Sequence, residues 1–158
     1  MGKVDSDLDF MRLALKEAEE EFNEGEVPVG AVLVVHDEIV AAAHNSREST
    51  FDPTNHAEIS VLREAAGKIK NWRLTDATLY VTKEPCIMCA GAMVNARLGR
   101  LVYGCYDSKG GAVKSLYKLL SDIRLNHQVE VVSGVLEEEC ADLLKRFFEG
   151  IRNKSLNS

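Results

Sequence analysis

Beyond an opening hairpin, this chain alternates short β-rich runs with helical stretches, and that alternation narrows the possible folds more than any other feature. Ala77 to Thr82 (ATLYVT), Leu101 to Tyr103 and Val129 to Val132 read as strands. Helices are predicted between and after them, over Pro85 to Arg97, roughly Ser115 to Ile123, and Leu136 to Arg152. Pro85 suits a helix's first turn, where a missing N–H costs nothing, and Gly99 ends that helix. Upstream, Leu8, Met11, Leu15, Ala18 and Phe22 recur at helical spacing, predicting a helix from about Asp7 to Asn23 that Gly25 stops. Val29 to Val35 and Ile39 to Ala43 pair as a hairpin around His36-Asp37-Glu38, and a loop punctuated by Pro53 covers Asn45 to Thr54. A further helix begins near His56, with Ile59, Leu62 and Ala66 on one side.

The order α-β-β-α-β-α-β-α-β-α predicts an α/β fold. It is a three-layer α-β-α sandwich around a five-stranded, mixed and mostly parallel sheet. The helix expected between the last two strands lets them run parallel, because that connection has to cross the sheet.

A length of 158 residues suits one domain, 1–158, with a real core. With 46% hydrophobic and 28% charged residues, the chain reads as an ordinary globular protein and not as a disordered or fibrous one. No apolar run approaches the roughly 18–20 residues needed to span a bilayer. Met1 to Asp9 is polar and acidic, unlike a secretory signal, so a cytoplasmic location and no membrane partner are expected. Cys86, Cys89, Cys105 and Cys140 are then expected as reduced thiols, serving as metal ligands or core fillers. Cys140 shares an apolar helix face with Leu136, Leu143 and Leu144 and reads as core.

The formal net charge is −6, yet it is unevenly spread. Residues 1–26 hold three basic and nine acidic groups, whereas residues 63–118 hold ten basic and four acidic. Lys145, Arg146, Arg152 and Lys154 face only Glu149 near the C-terminus. Charge alone is explained most simply by solvated helix surface. A globally acidic chain can nevertheless steer a polyanion through a local basic face.

The chemistry concentrates in His56-Ala57-Glu58 and Pro85-Cys86-Ile87-Met88-Cys89. Two cysteines three residues apart at a helix start lie on one side of its first turn, so both reach a single ion. His56, at another helix start, supplies a third ligand if the two N-termini converge. Three protein ligands leave tetrahedral zinc one open position, the mark of a catalytic site. Helix N-termini also favour the anionic thiolates. Glu58, two residues from His56, points to a different side and is read as an acid/base group beside the metal. A structural zinc module would want a fourth ligand from Cys105, Cys140, His36, His44 or His127, and none has a paired spacing with the cluster. A redox Cys-x-x-Cys pair fits poorly with the preceding proline and the surrounding strand order.

These residues, in the order H-x-E…P-C-x-x-C, resemble the zinc nucleobase deaminases of the cytidine deaminase-like fold. The likeness is closest to the bacterial tRNA-specific adenosine deaminases and covers nearly the whole chain. It rests on Glu26-Val27-Pro28-Val29-Gly30-Ala31, on Asp52-Pro53-Thr54 running into His56, on Leu79-Tyr80-Val81-Thr82, and on Glu84 through Cys89. It continues through Asp107-Ser108-Lys109-Gly110-Gly111, Leu125-Asn126-His127 and Phe147-Phe148. The resemblance implies a homodimer that converts adenosine to inosine at the wobble position of a tRNA anticodon stem-loop. It implies one zinc per chain on His56, Cys86 and Cys89, with Glu58 as proton shuttle. It also implies that Asn45 hydrogen-bonds the flipped base and that Asp107, Lys109 and Phe148 lie near the bound loop. Glu149-Gly150-Ile151-Arg152 is less basic than the family's C-terminus often is. Two other classes share parts of the pattern. A free-base or nucleotide deaminase has the same zinc site, and a non-catalytic zinc RNA-binding module has the same charge pattern but no use for Glu58.

Overall fold

The computed structural model describes residues 3–20, 22 and 25–156. Its elements are α1 (Lys3–Glu20), β1 (Gly30–Val35), β2 (Glu38–His44), α2 (Arg47–Thr50), α3 (Ala57–Ile69), β3 (Ala77–Lys83), α4 (Ile87–Asn95), β4 (Arg100–Cys105), β5 (Glu130–Ser133) and α5 (Glu137–Leu156). The strands form one sheet in the order β2-β1-β3-β4-β5. It is mixed: β3, β4 and β5 run parallel, while β1 is antiparallel to both β2 and β3.

Helices cover both faces, so successive strand residues bury into different layers. Leu33, Leu79, Val81, Leu101 and Tyr103 join the cluster beneath α3 and α4, which contribute Val61, Leu62, Cys89 and Met93. Val32, Val34, Tyr80 and Val102 pack instead on Met11 and Ala14 of α1 and Cys140 of α5. Cys140 is thus core, as its place on the apolar face implied. Gly30 allows α1 to sit directly on β1, because a Cβ there would collide with the carbonyl of Ala14.

The elements differ from expectation in four places. Helix α1 starts a turn earlier than Asp7, and its expected end at Asn23 lies outside the described residues. A single helical turn, α2, interrupts the loop after the hairpin. Pro85 precedes α4 and is not in its first turn: Cys86 is the N-cap, and the helix ends at Asn95 ahead of Arg97, which has φ 57°.

The helix expected over Ser115 to Ile123 is absent, and only a 3-10 turn, Leu119–Ser121, forms. The N–H groups of Leu116 and Tyr117 both return to the carbonyl of Gly111, and Ser115 is bonded through its N–H and hydroxyl to Glu84. Those commitments leave no free ladder for a helix. Parallel pairing of β4 and β5 survives, because the long connection still crosses the sheet. Its Ala112, Val113 and Leu120 bury in the α3/α4 layer, where a crossover helix would lie.

The two-residue hairpin turn has positive φ at His36 (50°) and Asp37 (62°), the twist that suits tight antiparallel pairing. His36 is exposed there.

Candidate active site

The sheet register gathers the site at one edge. Gly30 pairs with His44, Ala31 with Val81, and Lys83 with Cys105. The start of β1 and the ends of β2, β3 and β4 therefore meet along one rim. Helices α3 and α4 both begin there, with His56 and Cys86 as N-caps in extended conformation (φ −75°, ψ 154° and φ −78°, ψ 177°). Neither side chain caps its own helix. The imidazole Nδ1 of His56 instead faces Cys86 Sγ at 3.7 Å and Cys89 Sγ at 3.5 Å.

This donor set fits zinc. Tetrahedral zinc holds sulfur at about 2.3 Å and imidazole nitrogen at about 2.0 Å, which places such donors roughly 3.5 Å apart. The ligand atoms of His56, Cys86 and Cys89 lie within 4.8 Å of one another. Glu58 is not among them.

Charge is shared unevenly across the triad. The Cys86 thiol is pulled down to about 3 by its hydrogen bond with Cys89 and then by His56, overcoming burial. Cys89 is pushed up, first by the same bond with Cys86 and then by desolvation. His56 is raised by its bond to Cys86. Zinc takes cysteine as thiolate and histidine as neutral imidazole, so its binding at this cluster would release protons. Glu58 is 4% exposed, and desolvation pushes its carboxyl up despite the nearby imidazole.

These groups open onto a cavity of about 290 Å³. Val27 and Val29 form an apolar wall, while Asn45, His56, Glu58 and Cys86 supply polar groups. Asn45 is buried, anchored through its N–H to the carbonyl of Val29 (3.0 Å). Its side-chain amide has no protein partner among the described residues and is available to a ligand. Arg47, Lys83, Glu84, Asp107 and Phe148 complete the lining. Phe148 is half exposed and sits edge-on to buried Phe147, centroids 5.4 Å apart.

Three of the four residues expected at the substrate are therefore brought to the cavity: Asn45, Asp107 and Phe148. Lys109 does not line it. Its N–H and that of Gly110 fold back onto Asp107 Oδ1 (3.1 Å each), and the residue is exposed at the turn. Lys83 and Arg47 are cavity residues that motif reading missed. Lys83 carried a signal, being a cation on the core-facing register of Leu79 and Val81 at the strand's end.

Glu84 was also missed as a functional group, although it is 2% exposed. Its Oε1 accepts from the N–H of Asp107 (3.1 Å) and the Ser115 hydroxyl. Its Oε2 accepts from the N–H groups of Val113 (3.1 Å), Lys114 (2.8 Å) and Ser115 (3.0 Å). Burial alone would raise this carboxyl, but those donors outweigh it and hold the group below the usual range. A β-bridge between Cys86 and Gly111, together with the Ala112 N–H bonded to the Pro85 carbonyl (2.9 Å), completes the attachment. The loop bearing Asp107 is thereby tied to the turn bearing Cys86.

The sequence model of the MafB19-like deaminase family matches residues 5–152. The chain is 52% identical over 145 residues to the tRNA-specific adenosine deaminase of Bacillus subtilis (strain 168), covering 92% of this chain and 90% of that protein. A solved structure from work on A-to-I editing by tRNA:A34 deaminases at the wobble position of transfer RNA superimposes with a TM-score of 0.82. It is 45% identical and covers 85% of this chain and 98% of that one. Guanine deaminase from Nitrosomonas europaea superimposes with a TM-score of 0.76 at 19% identity, over 89% of this chain and 83% of that one. That likeness shows the fold alone.

Proposed function

The chain belongs to the MafB19-like deaminases and, within them, to the tRNA-specific adenosine deaminases; from that premise we propose how its residues divide the reaction. The activity is hydrolytic conversion of adenosine to inosine in tRNA, at the wobble position of the anticodon, releasing ammonia. The observation that carries the mechanism is the convergence of His56, Cys86 and Cys89 at two helix starts with buried Glu58 beside them.

His56, Cys86 and Cys89 hold one zinc per chain, which when bound acts as a Lewis acid and lowers the pKa of water at the site to about 7. Glu58 does the proton work. It takes a proton from the attacking water and gives it to N1 of the adenine as C6 is attacked. It then takes the remaining water proton from the new C6 hydroxyl and delivers it to the departing amine, so that adenosine and water become inosine and ammonia. A carboxyl whose buried setting raises its proton affinity suits both directions of transfer. Asn45 presents its unpartnered amide to the ring edge, and Val27 and Val29 pack against the base. Asp107 and Phe148 border the loop nucleotides at the mouth. A target carbon inside a helical stack is unreachable, so the nucleotide enters splayed out, at a cost smaller in a loop than in a duplex.

Residues 1–158 act as one domain, in a cytoplasmic homodimer. Exposed Ile87, Leu116, Tyr117 and Ile123 are apolar surface of the kind that such pairing buries. Among the described residues no helix is long and apolar enough to cross a membrane. Light scattering checks the assembly.

The decisive experiment offers the zinc-loaded enzyme total tRNA, an anticodon stem-loop with adenosine first in the anticodon, free adenosine, guanine and cytosine. Expected are A-to-G reads at the wobble position and ammonia release only with RNA. Equal turnover of any free base or nucleoside would move the enzyme to the small-molecule deaminases.

A further inference from the structure

Lys83 is the last residue of β3, on the same sheet face as Leu79 and Val81, and it reaches the rim of the cavity instead of the core. Its Nζ lies 3.2 Å from Asp107 Oδ2, with the two side chains 29% and 20% exposed. Among the described residues Asp107 is its one charged partner. The other carboxylates on the cavity are occupied: Glu84 is saturated by five donors from the loop, and Glu58 is buried at the catalytic position. Asp107 itself is divided, its Oδ1 capping the turn at Lys109 and Gly110 while only Oδ2 meets Lys83. An ammonium offers three donors and this one has a single shared acceptor.

A base inserted among Val27, Val29 and Asn45 has to carry its sugar–phosphate chain over the rim, where Lys83 and Arg47 are the cations lining the cavity. We infer that Lys83 is a phosphate-binding residue for the RNA backbone next to the target nucleotide, turning from Asp107 towards that phosphate when RNA binds. This inference rests on the tRNA reading above. The residue acts on affinity, since its ammonium meets a group that is equally charged before and after deamination. The pair is only partly exposed, so parting it has a cost that the phosphate contact has to exceed. A phosphate contact is charge-assisted and releases counterions.

The test uses zinc-loaded protein and the anticodon stem-loop carrying inosine, so that binding is read without turnover. Lys83→Met keeps the aliphatic stem and removes the charge. Across salt from about 50 to 200 mM, its slope of log K against log salt should be shallower than wild type by about 0.7, the share of one single-strand phosphate. Its affinity deficit should be several-fold at low salt and shrink as salt rises. Lys83→Arg should keep the wild-type slope. Asp107→Asn separates the alternatives, because it breaks the same pair but leaves the cation. It should not flatten the slope. An unchanged slope in Lys83→Met overturns the inference, as do equal affinity losses in Lys83→Met and Asp107→Asn at wild-type slope, which would make Lys83 a strut for the turn. A wild-type enzyme that deaminates the adenosine stem-loop while Lys83→Met binds normally would leave the tRNA reading standing and remove only this residue from it.

Discussion

Gly111 lies against the carboxylate of Glu84 so closely that a Cβ on it would fall 2.5 Å from both carboxylate oxygens. The residue's φ is not in the left-handed region, so the requirement is for space and not for backbone freedom. The missing side chain lets a buried carboxylate gather the N–H groups of residues 107 and 113–115.

Gly111→Ala should consequently push the loop off Glu84. Overpacking of this kind costs about 1–3 kcal/mol, which for a chain this size is a Tm lower by roughly 2–12 °C. Zinc content should remain near one per chain, while KM for the stem-loop rises because Asp107 moves with the loop. Calorimetry and steady-state kinetics read the two effects separately. A variant with wild-type Tm and KM would show that the loop adapts without cost.

Glu58→Gln should retain zinc and fold, since Glu58 is outside the group of converging ligand atoms. Turnover should drop by on the order of 10²–10⁴-fold, the usual contribution of a general acid/base group, with one carboxyl serving several transfers placing it at the upper end. Stem-loop binding should be nearly unchanged. Loss of the metal in this variant would instead make Glu58 a ligand.

Cys86→Ala and Cys89→Ala should each abolish stoichiometric zinc, as measured by elemental analysis of purified protein. Chelator treatment of the unaltered enzyme should stop deamination, and added zinc should restore it. Because both cysteines sit at the start of α4, the metal-free protein should keep its sheet core but lose protection from hydrogen exchange around residues 84–90. Zinc at one equivalent in either alanine variant would rule out the triad.

Asp7 joins α1 to the sheet through two bonds from Arg100 (2.9 and 2.7 Å) and one from the Tyr80 hydroxyl (2.7 Å). The Arg100 bonds, with Tyr80 adding and burial opposing, hold its carboxyl below the ordinary range. A carboxyl depressed by folding contributes stability that is fully present above its unfolded pKa, about 3.9, and is lost as pH falls through the lower folded value. Asp7→Asn should therefore lower stability by about 1–2 kcal/mol near neutral pH. The gap between variant and wild type should stay constant down to about pH 5 and close below 3.9. Denaturant titrations across that range measure it, and a gap that widens in acid would contradict the sign.

Much of the site was legible because its parts are local. His56 and Glu58 share one helix start, and Cys86 and Cys89 share another, so spacing alone aligned each pair. The layered sheet was equally legible, since its two buried faces require continuous apolar runs such as Ala77 to Thr82. Local pattern misled at Ser115 to Ile123, where the helix was overridden by bonds from Ser115 to Glu84, 31 residues earlier in the chain, and by the turn that Leu116 and Tyr117 close on Gly111. Lys109, placed near the bound loop by its motif, lies exposed on the turn capped by Asp107 and outside the cavity lining.

By itself, the sequence determined which residues offer nitrogen and sulfur donors at two helix starts, which carboxyl stands two positions from one of them, and that strands and helices alternate around a two-faced sheet. These follow from side-chain chemistry and from periodicities that each segment carries alone. Only the tertiary structure decided that the two helix starts meet with donors 3.5 and 3.7 Å apart, that Glu84 is consumed in holding a loop, and that Lys83 stands at the cavity rim. Those outcomes depend on the register of β1, β3 and β4 at one edge of the sheet. Register is set by long-range packing of both faces at once, which no local stretch of residues encodes.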